Sequence, residues 1–250
     1  MQVLAPGEAI YRSIPVGIGI NGWDLSEPGH YIVKAGMEIE DQMYLSNDLM
    51  IRIAPPVSYE QEYLAQDYFT EEVARILYFE GSRYLQRAND TLQEVTSKFS
   101  TQNVARYTRL ALTKPHMKSY KKLVIPPEAG GQATSAAEAG GWVDETKPNP
   151  DLVRKEMAKV LLKDQQEAAT TFGHLTYEQK MVEYGEFLSE QGDMKEATEV
   201  LSTLHKTMSK DKVVDSAIDR IERIMNVYEK KATTTKTTRR TRRNKKETVK

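Results

Sequence analysis

The prolines Pro55 and Pro56 divide the chain between two different spacings of apolar residues. Before them, apolar and polar residues alternate, which is typical of a β-strand because successive side chains point to opposite faces. After them, apolar residues recur every three or four positions, which is the spacing of one helix face. Proline lacks an amide hydrogen and restricts the residue before it, so the pair is expected to end the last strand. The sequence therefore predicts an α+β protein, with a small sheet followed by antiparallel helical hairpins.

Residues 1–56 are predicted to be β-rich, and several of their motifs resemble a known fold. The resemblance is to the closing half of an immunoglobulin-like sandwich, and it is carried by Leu4-Ala5-Pro6-Gly7-Glu8, Trp23, Leu25, Pro28-Gly29-x-Tyr31-x-Val33-x-Ala35 and a strand ending at Ile53. Such a sandwich has about seven strands, whereas this segment supplies three or four. The resemblance implies a partial sandwich that is covered by helices, completed by another chain, or begun upstream in a longer natural protein; the last of these is favoured.

The spacing and composition of the remaining residues predict four further segments. Residues 57–125 have the pattern of helical hairpins. Residues 126–150 are rich in proline, glycine and alanine, which predicts a linker or long loop. Helical spacing returns in residues 151–231, and residues 232–250 lack apolar anchors, which predicts a disordered basic tail.

One hairpin in residues 151–231 resembles a tetratricopeptide repeat. The motif is Tyr184-Gly185-x-x-Leu188, Gly192-Asp193, Glu196-Ala197, Leu201 and Leu204. Small residues such as Gly185 and Ala197 allow two helices to approach closely, and the larger apolar side chains fill the space between them. The resemblance implies a repeat-like, protein-binding helical region. Because the chain shows no regular tandem array, ordinary packed hairpins are the alternative.

The residue inventory argues against catalysis and against metal or cofactor binding. The chain has no cysteine, which excludes disulfides, thiolate catalysis and cysteine-ligated metals. Its four histidines, His30, His116, His174 and His205, do not have the spacing of a zinc motif. No G-x-S-x-G nucleophile motif occurs. We therefore expect no catalytic residue, no cofactor and no metal site, and the chain is not expected to be an enzyme.

A glycine-rich string at residues 17–22 matches G-x-G-x-x-G, a pattern found in dinucleotide-binding proteins. In those proteins the string opens a helix within a βαβ unit. Here Pro28 follows too closely for a helix, and no βαβ pattern is present. The string is therefore interpreted as a glycine-rich β turn.

The distribution of charge is uneven. Residues 230–250 contain ten basic residues and one acidic residue, a net charge of +9, whereas the rest of the chain carries −10. The predicted polyanion contacts are Arg239, Arg240, Arg242, Arg243, Lys245 and Lys246. Such a tail can bind phosphate backbones by counterion release, can fold onto its own acidic body, or can simply aid solubility. No aromatic residue lies among these cations, so base stacking is not predicted.

Taken together, these features predict a non-enzymatic protein-interaction or scaffold module with an unknown protein partner. The predicted partner surface consists of exposed side chains around Tyr177, Lys180 and Tyr184. The alternative is a protein that associates with nucleic acid or another polyanion through its tail. The chain as given has no signal peptide and no apolar run of roughly 20 residues, so a soluble, cytoplasmic protein without a membrane span is expected.

A chain ending at Tyr228 tests the role of the tail. Under the polyanion alternative, the full chain binds duplex DNA at low salt, with an affinity that falls steeply as salt rises, because each neutralised phosphate releases a counterion. The shortened chain should not bind. Fluorescence anisotropy over a salt series measures both, and a full-length control with the six predicted contact residues changed to glutamine separates charge from length. Equal binding by all three chains would show that the tail is not the binding element.

Overall fold

The computed structural model describes residues 13–124, 142–210, 218 and 221–228. Small antiparallel ladders and packed helices make up these residues, so the predicted α+β class is confirmed. The chain divides into two compact units. One unit is residues 15–111, and the other combines residues 1–14 with residues 112–250. The unit of residues 15–111 therefore contains both strands and helices, on either side of the two prolines.

Strands in the unit of residues 15–111 form three separate two-stranded ladders. The strands are β1 (Ile18–Gly19), β2 (Gly22–Trp23), β3 (Gly29–Val33), β4 (Gly36–Ile39), β5 (Gln42–Leu45) and β6 (Leu49–Ile53). β1 pairs with β2, β3 with β6, and β4 with β5, all antiparallel. This is less sheet than the partial sandwich that the resemblance implied.

The ladders β3–β6 and β4–β5 follow one another along a single long hairpin, residues 29–53, which we call the β-arm. At the junction between them, the Ser46 amide donates to the Ala35 carbonyl at 2.8 Å. At the tip, Glu40 and Asp41 have φ values of 49° and 63°. Two consecutive residues with positive φ are typical of a type I′ turn, whose twist matches that of the flanking strands. The β-arm is therefore a continuous hairpin with a two-residue turn.

Helices of this unit follow the prolines. They are α1 (Tyr59–Tyr68), α2 (Glu71–Tyr78), α3 (Gln86–Lys98) and α4 (Asn103–Thr113), the last of which ends in the other unit. Ser58 caps α1 by accepting a hydrogen bond from the Gln61 amide at 3.2 Å. The core contains the buried side chains Leu64, Val73, Ile76, Leu92 and Val95.

Trp23 connects the glycine-rich turn to these helices. Its indole nitrogen donates to the Thr70 carbonyl at 3.0 Å. Its ring centroid lies 5.3 Å from that of Tyr68 and 4.8 Å from that of Phe69, distances at which aromatic rings attract one another. Residues 17–22 form the β1–β2 hairpin with positive φ at Gly17 and Gly22. The interpretation as a glycine-rich β turn is confirmed.

The other unit begins with a 3₁₀ turn, Lys114–His116, and a ladder of β7 (Tyr120–Val124) and β8 (Trp142–Thr146). Its helices are α5 (Pro150–Met157) with a π-helical continuation (Ala158–Leu162), α6 (Gln165–Phe172), α7 (His174–Glu190) and α8 (Met194–Lys210), and residues 221–228 are also helical. None of the helices described is both long enough and apolar enough to cross a membrane.

β8 corrects part of the predicted linker. Residues 142–146 are an antiparallel strand, and Pro150 already begins α5, so a linker or loop over these residues was wrong. The predicted helical segment of residues 57–125 likewise ends in a strand, β7. The physical reason is that β8 is short and lies between segments rich in proline and glycine, which favour loops. Its aromatic and β-branched residues form a strand because they pair with β7, which lies earlier in the chain. Residues 125–141 lie outside the part that the structure describes, as does the whole of the predicted tail, residues 232–250.

α7 and α8 pack closely against one another as a hairpin. A Cβ atom placed on Gly185 would lie 3.5 Å from the Leu201 side chain and 3.8 Å from the Ala197 carbonyl oxygen. Large side chains around this contact are fully buried, among them Met181, Leu188, Leu201 and Leu204. The predicted close approach at Gly185 is therefore confirmed, whereas membership of a tetratricopeptide array stays a prediction.

Substitutions at Gly185 should separate helix propensity from packing. Gly185→Ala adds a single methyl group at ordinary contact distance, and alanine favours a helix over glycine by up to about 1 kcal/mol, so the free energy of unfolding should rise or stay unchanged. Gly185→Leu overfills the same space and should lower it by about 1–3 kcal/mol. Urea unfolding followed by circular dichroism measures both. A neutral effect of leucine would contradict the close contact.

Candidate functional site

The three residues predicted to line an exposed partner surface are buried. Tyr177 and Tyr184 are almost fully inaccessible, and Lys180 is 5% exposed. Tyr177 donates from its hydroxyl to the Leu161 carbonyl at 3.2 Å, so its polar end points into the protein. The prediction of exposure was wrong because neighbouring elements cover α7 on more than one side, which the spacing of one helix alone does not show. The predicted polyanion contacts, residues 239–246, lie outside the described residues.

Lys180 belongs to a cluster of three charged side chains. Glu183 accepts from the ammonium of Lys114 at 3.2 Å and lies 3.5 Å from that of Lys180. Burial lowers the pKa of Lys114 below its ordinary value, the Glu183 carboxylate opposes that change, and Lys180 adds to it. A carboxylate between two ammonium groups stabilises both in a part-buried place. The cluster thus connects the 3₁₀ turn to α7, which is a structural role.

Removing this carboxylate should destabilise the protein. Glu183→Gln leaves the two ammonium groups close together without the anion between them. The free energy of unfolding at neutral pH should fall by about 2 kcal/mol, a value that already allows for solvent screening of these part-buried groups. The folded protein holds the Lys114 proton less tightly than the unfolded chain does, so stability from this group rises with pH in the alkaline range. The variant should therefore approach the wild type as pH rises through the folded lysine pKa.

A matched control for that experiment is Glu199→Gln. Glu199 pairs with Lys195 at 3.6 Å on an exposed helix surface. Exposed pairs contribute little, so urea unfolding of this variant should differ from the wild type by less than about 0.5 kcal/mol. A Glu183→Gln variant as stable as this control at neutral pH would contradict the role of the cluster.

The histidines occupy separate positions. His30 lies on β3, His116 in the 3₁₀ turn, and His174 opens α7. His205 pairs with Glu222 at 3.1 Å. Within the described residues, no group of three or more histidine, aspartate or glutamate side chains is placed to hold a metal ion.

A large exposed apolar surface lies on the β-arm. Every residue of β4 and β5 is exposed. Leu45 is 68% exposed and Met50 is 73% exposed. The exposed large apolar side chains of the arm are Ile32, Met37, Ile39, Met43, Tyr44, Leu45, Leu49 and Met50. Exposed apolar side chains in this number make the arm a candidate binding surface.

The strand register places these side chains on both faces of the arm. Ile32 is opposite Met50, and Met37 is opposite Tyr44. In the described part of the chain each arm strand pairs with one other strand only, so the outer edge of each carries unpaired backbone groups. Open edges and exposed apolar faces are the two elements of recognition by strand addition. The β-arm is therefore the candidate site.

The sequence contains a signal for this surface that the strand interpretation missed. Alternation predicts one apolar face and one polar face, but Met43, Tyr44 and Leu45 are consecutive apolar residues, as are Leu49 and Met50. Consecutive apolar residues in a strand occupy both faces. In a two-stranded ladder, neither face can be enclosed by the ladder itself.

Comparisons of the chain with protein-family models, with curated proteins and with solved structures find no match. The functional argument therefore rests on the residues of this chain.

Proposed function

We propose that the chain is a non-enzymatic protein-interaction module and that the β-arm carries its interface. The observation that supports this proposal is the exposure of β4 and β5, where all eight residues are exposed and five of them are the large apolar residues Met37, Ile39, Met43, Tyr44 and Leu45. Exposed apolar side chains lose contact with water when a partner covers them, which is the main favourable term in protein association.

Contacts within the β-arm hold it in a defined conformation without a partner. Lys34 and Asp48 form an ion pair of 3.1 Å at the junction of the two ladders. The Ala35 amide donates to the Ser46 hydroxyl at 2.9 Å in the same place. These contacts hold the hairpin across its least regular point, and a preorganised surface loses less conformational entropy on binding.

At its base, the arm is followed in the chain by the helices that form the packed core. Tyr31 donates from its hydroxyl to the Glu27 carbonyl at 2.7 Å, and alternate residues of β3 and β6 are half-buried. Trp23 joins the preceding turn to the helices. The arm thus follows a turn that is joined to the helices, and the arm presents the apolar side chains.

The alternative function is association with nucleic acid or another polyanion through the tail. Its support is the net charge of +9 in residues 230–250. The arm does not favour such a ligand, because Glu38, Glu40, Asp41 and Asp48 outnumber Lys34 and Arg52. Arm and tail would therefore bind different classes of molecule, and the two functions can be tested separately.

Photocrosslinking tests the proposed function. A benzoyl-phenylalanine in place of Met50 should form protein adducts in a nuclease-treated lysate of the native source, whereas the same group in place of Val57, which is exposed but outside the arm, should form few. Ile32→Thr with Met43→Thr should reduce the Met50-position adducts about tenfold, because threonine keeps the strand propensity and removes apolar surface. Gel shift and mass spectrometry measure the adducts.

Two outcomes would contradict the proposal. Equal adducts at positions 50 and 57 would show that the arm is not a preferred contact surface. Adducts that form at position 50 in untreated lysate but not in nuclease-treated lysate would support the polyanion alternative instead. A circular dichroism spectrum unchanged by the threonine substitutions is the control for folding.

A further inference from the structure

We infer that the β-arm docks on the β-arm of a second copy of this chain, antiparallel, with the acidic tip of each arm against the cationic base of the other. This inference rests on the proposed function, because it names the partner of the same surface. It follows from the distribution of charge along the arm and from the apolar side chains between the charged ends.

The two ends of the arm carry opposite charge. Glu38, Glu40 and Asp41 are exposed at the tip. At the base, His30 and Arg52 are an exposed cross-strand pair. The charges between these ends cancel, because Lys34 and Asp48 are paired with each other at 3.1 Å. The arm therefore carries three carboxylates at one end and the guanidinium of Arg52 at the other.

The ends are too far apart to neutralise each other within one arm. From residue 30 to residue 40 the strand extends roughly 30 Å, at about 3.3 Å per residue. At physiological salt, charges on exposed groups are screened beyond about 8 Å. Each end is thus available to an external charge of opposite sign.

A second arm meets this requirement only in the antiparallel orientation. Parallel docking would place three carboxylates against three carboxylates, and juxtaposed like charges cost several kcal/mol. Antiparallel docking places each tip against Arg52 of the other copy. The same rotation lays Ile32 and Met50, which share a face of the arm with His30 and Arg52, on the same residues of its partner. A surface that is complementary to itself in this way is what a two-fold dimer interface requires.

A second copy is the occupant that fits both features of the arm. The basic tail of the chain is a poorer occupant, because residues 232–250 contain only Ala232 and Val249 as apolar residues and could not cover the exposed side chains. The second copy supplies both the apolar surface and the charge.

Charge reversal of the purified full chain tests the inference by sedimentation velocity over a concentration series. The tip variant is Glu38→Lys with Glu40→Lys, and the base variant is Arg52→Glu. We expect the wild type to dimerise and each variant alone to raise the dimer Kd about tenfold or more. An equimolar mixture of the two variants should dimerise again, because each reversed end then faces an opposite charge.

A matched control is Lys195→Glu, a charge reversal on an exposed side chain outside the arm, which should leave the dimer Kd unchanged. Rescue in the mixture also shows that the variants are folded. A wild type that stays monomeric throughout the series, variants that dimerise like the wild type, or a mixture that stays monomeric would each overturn the inference. If the inference fails while the Met50 position still crosslinks to a different protein, the proposed function stands. If the arm-specific adducts are absent as well, both fail.

Discussion

A two-stranded β-ladder has two faces and no interior, so its side chains stay in contact with water unless another element covers them. This constraint governs the β-arm. Alternate residues of β3 and β6 are half-buried, whereas no residue of β4 or β5 is covered. In α7 and α8 the outcome is the opposite, because two helices in contact at Gly185 enclose Leu188 and Leu201 between them. The protein thus buries apolar side chains where elements pair in layers and exposes them where they do not.

Charge is used differently in the helical part and in the arm. Lys114 and Glu183 are part-buried and 3.2 Å apart, so their interaction is short-range and serves the fold. The carboxylates at the tip of the arm have no such neighbour among the ion pairs formed by the described residues, and they remain hydrated. Hydrated charges influence encounter and orientation more than stability. The arrangement is suited to recognition at the arm and to cohesion in the helical core.

Sequence patterns predicted the α+β class and the close helix contact, because both depend on local spacing. The position of Gly185 on α7 could be inferred since only a small side chain permits that approach. The burial of Tyr177 could not, because it depends on the covering elements and on a hydrogen bond to Leu161, sixteen residues earlier. β8 was missed for a related reason: a strand between glycine- and proline-rich flanks is recognisable only through its partner. The exposed arm was missed because the small sheet was expected to be covered by helices, completed by another chain, or continued in a larger sandwich.

The exposed methionines of the arm have a chemical consequence. The chain has no cysteine, so methionine provides all of its sulfur. Met37, Met43 and Met50 are open to solvent, whereas Met181 and Met208 are fully buried. A mild oxidant therefore reaches the arm before the helical core, and conversion to the sulfoxide replaces a flexible apolar side chain with a polar one. Because sulfoxide reductases reverse that reaction, the apolar character of the proposed interface depends on the redox state of its surroundings.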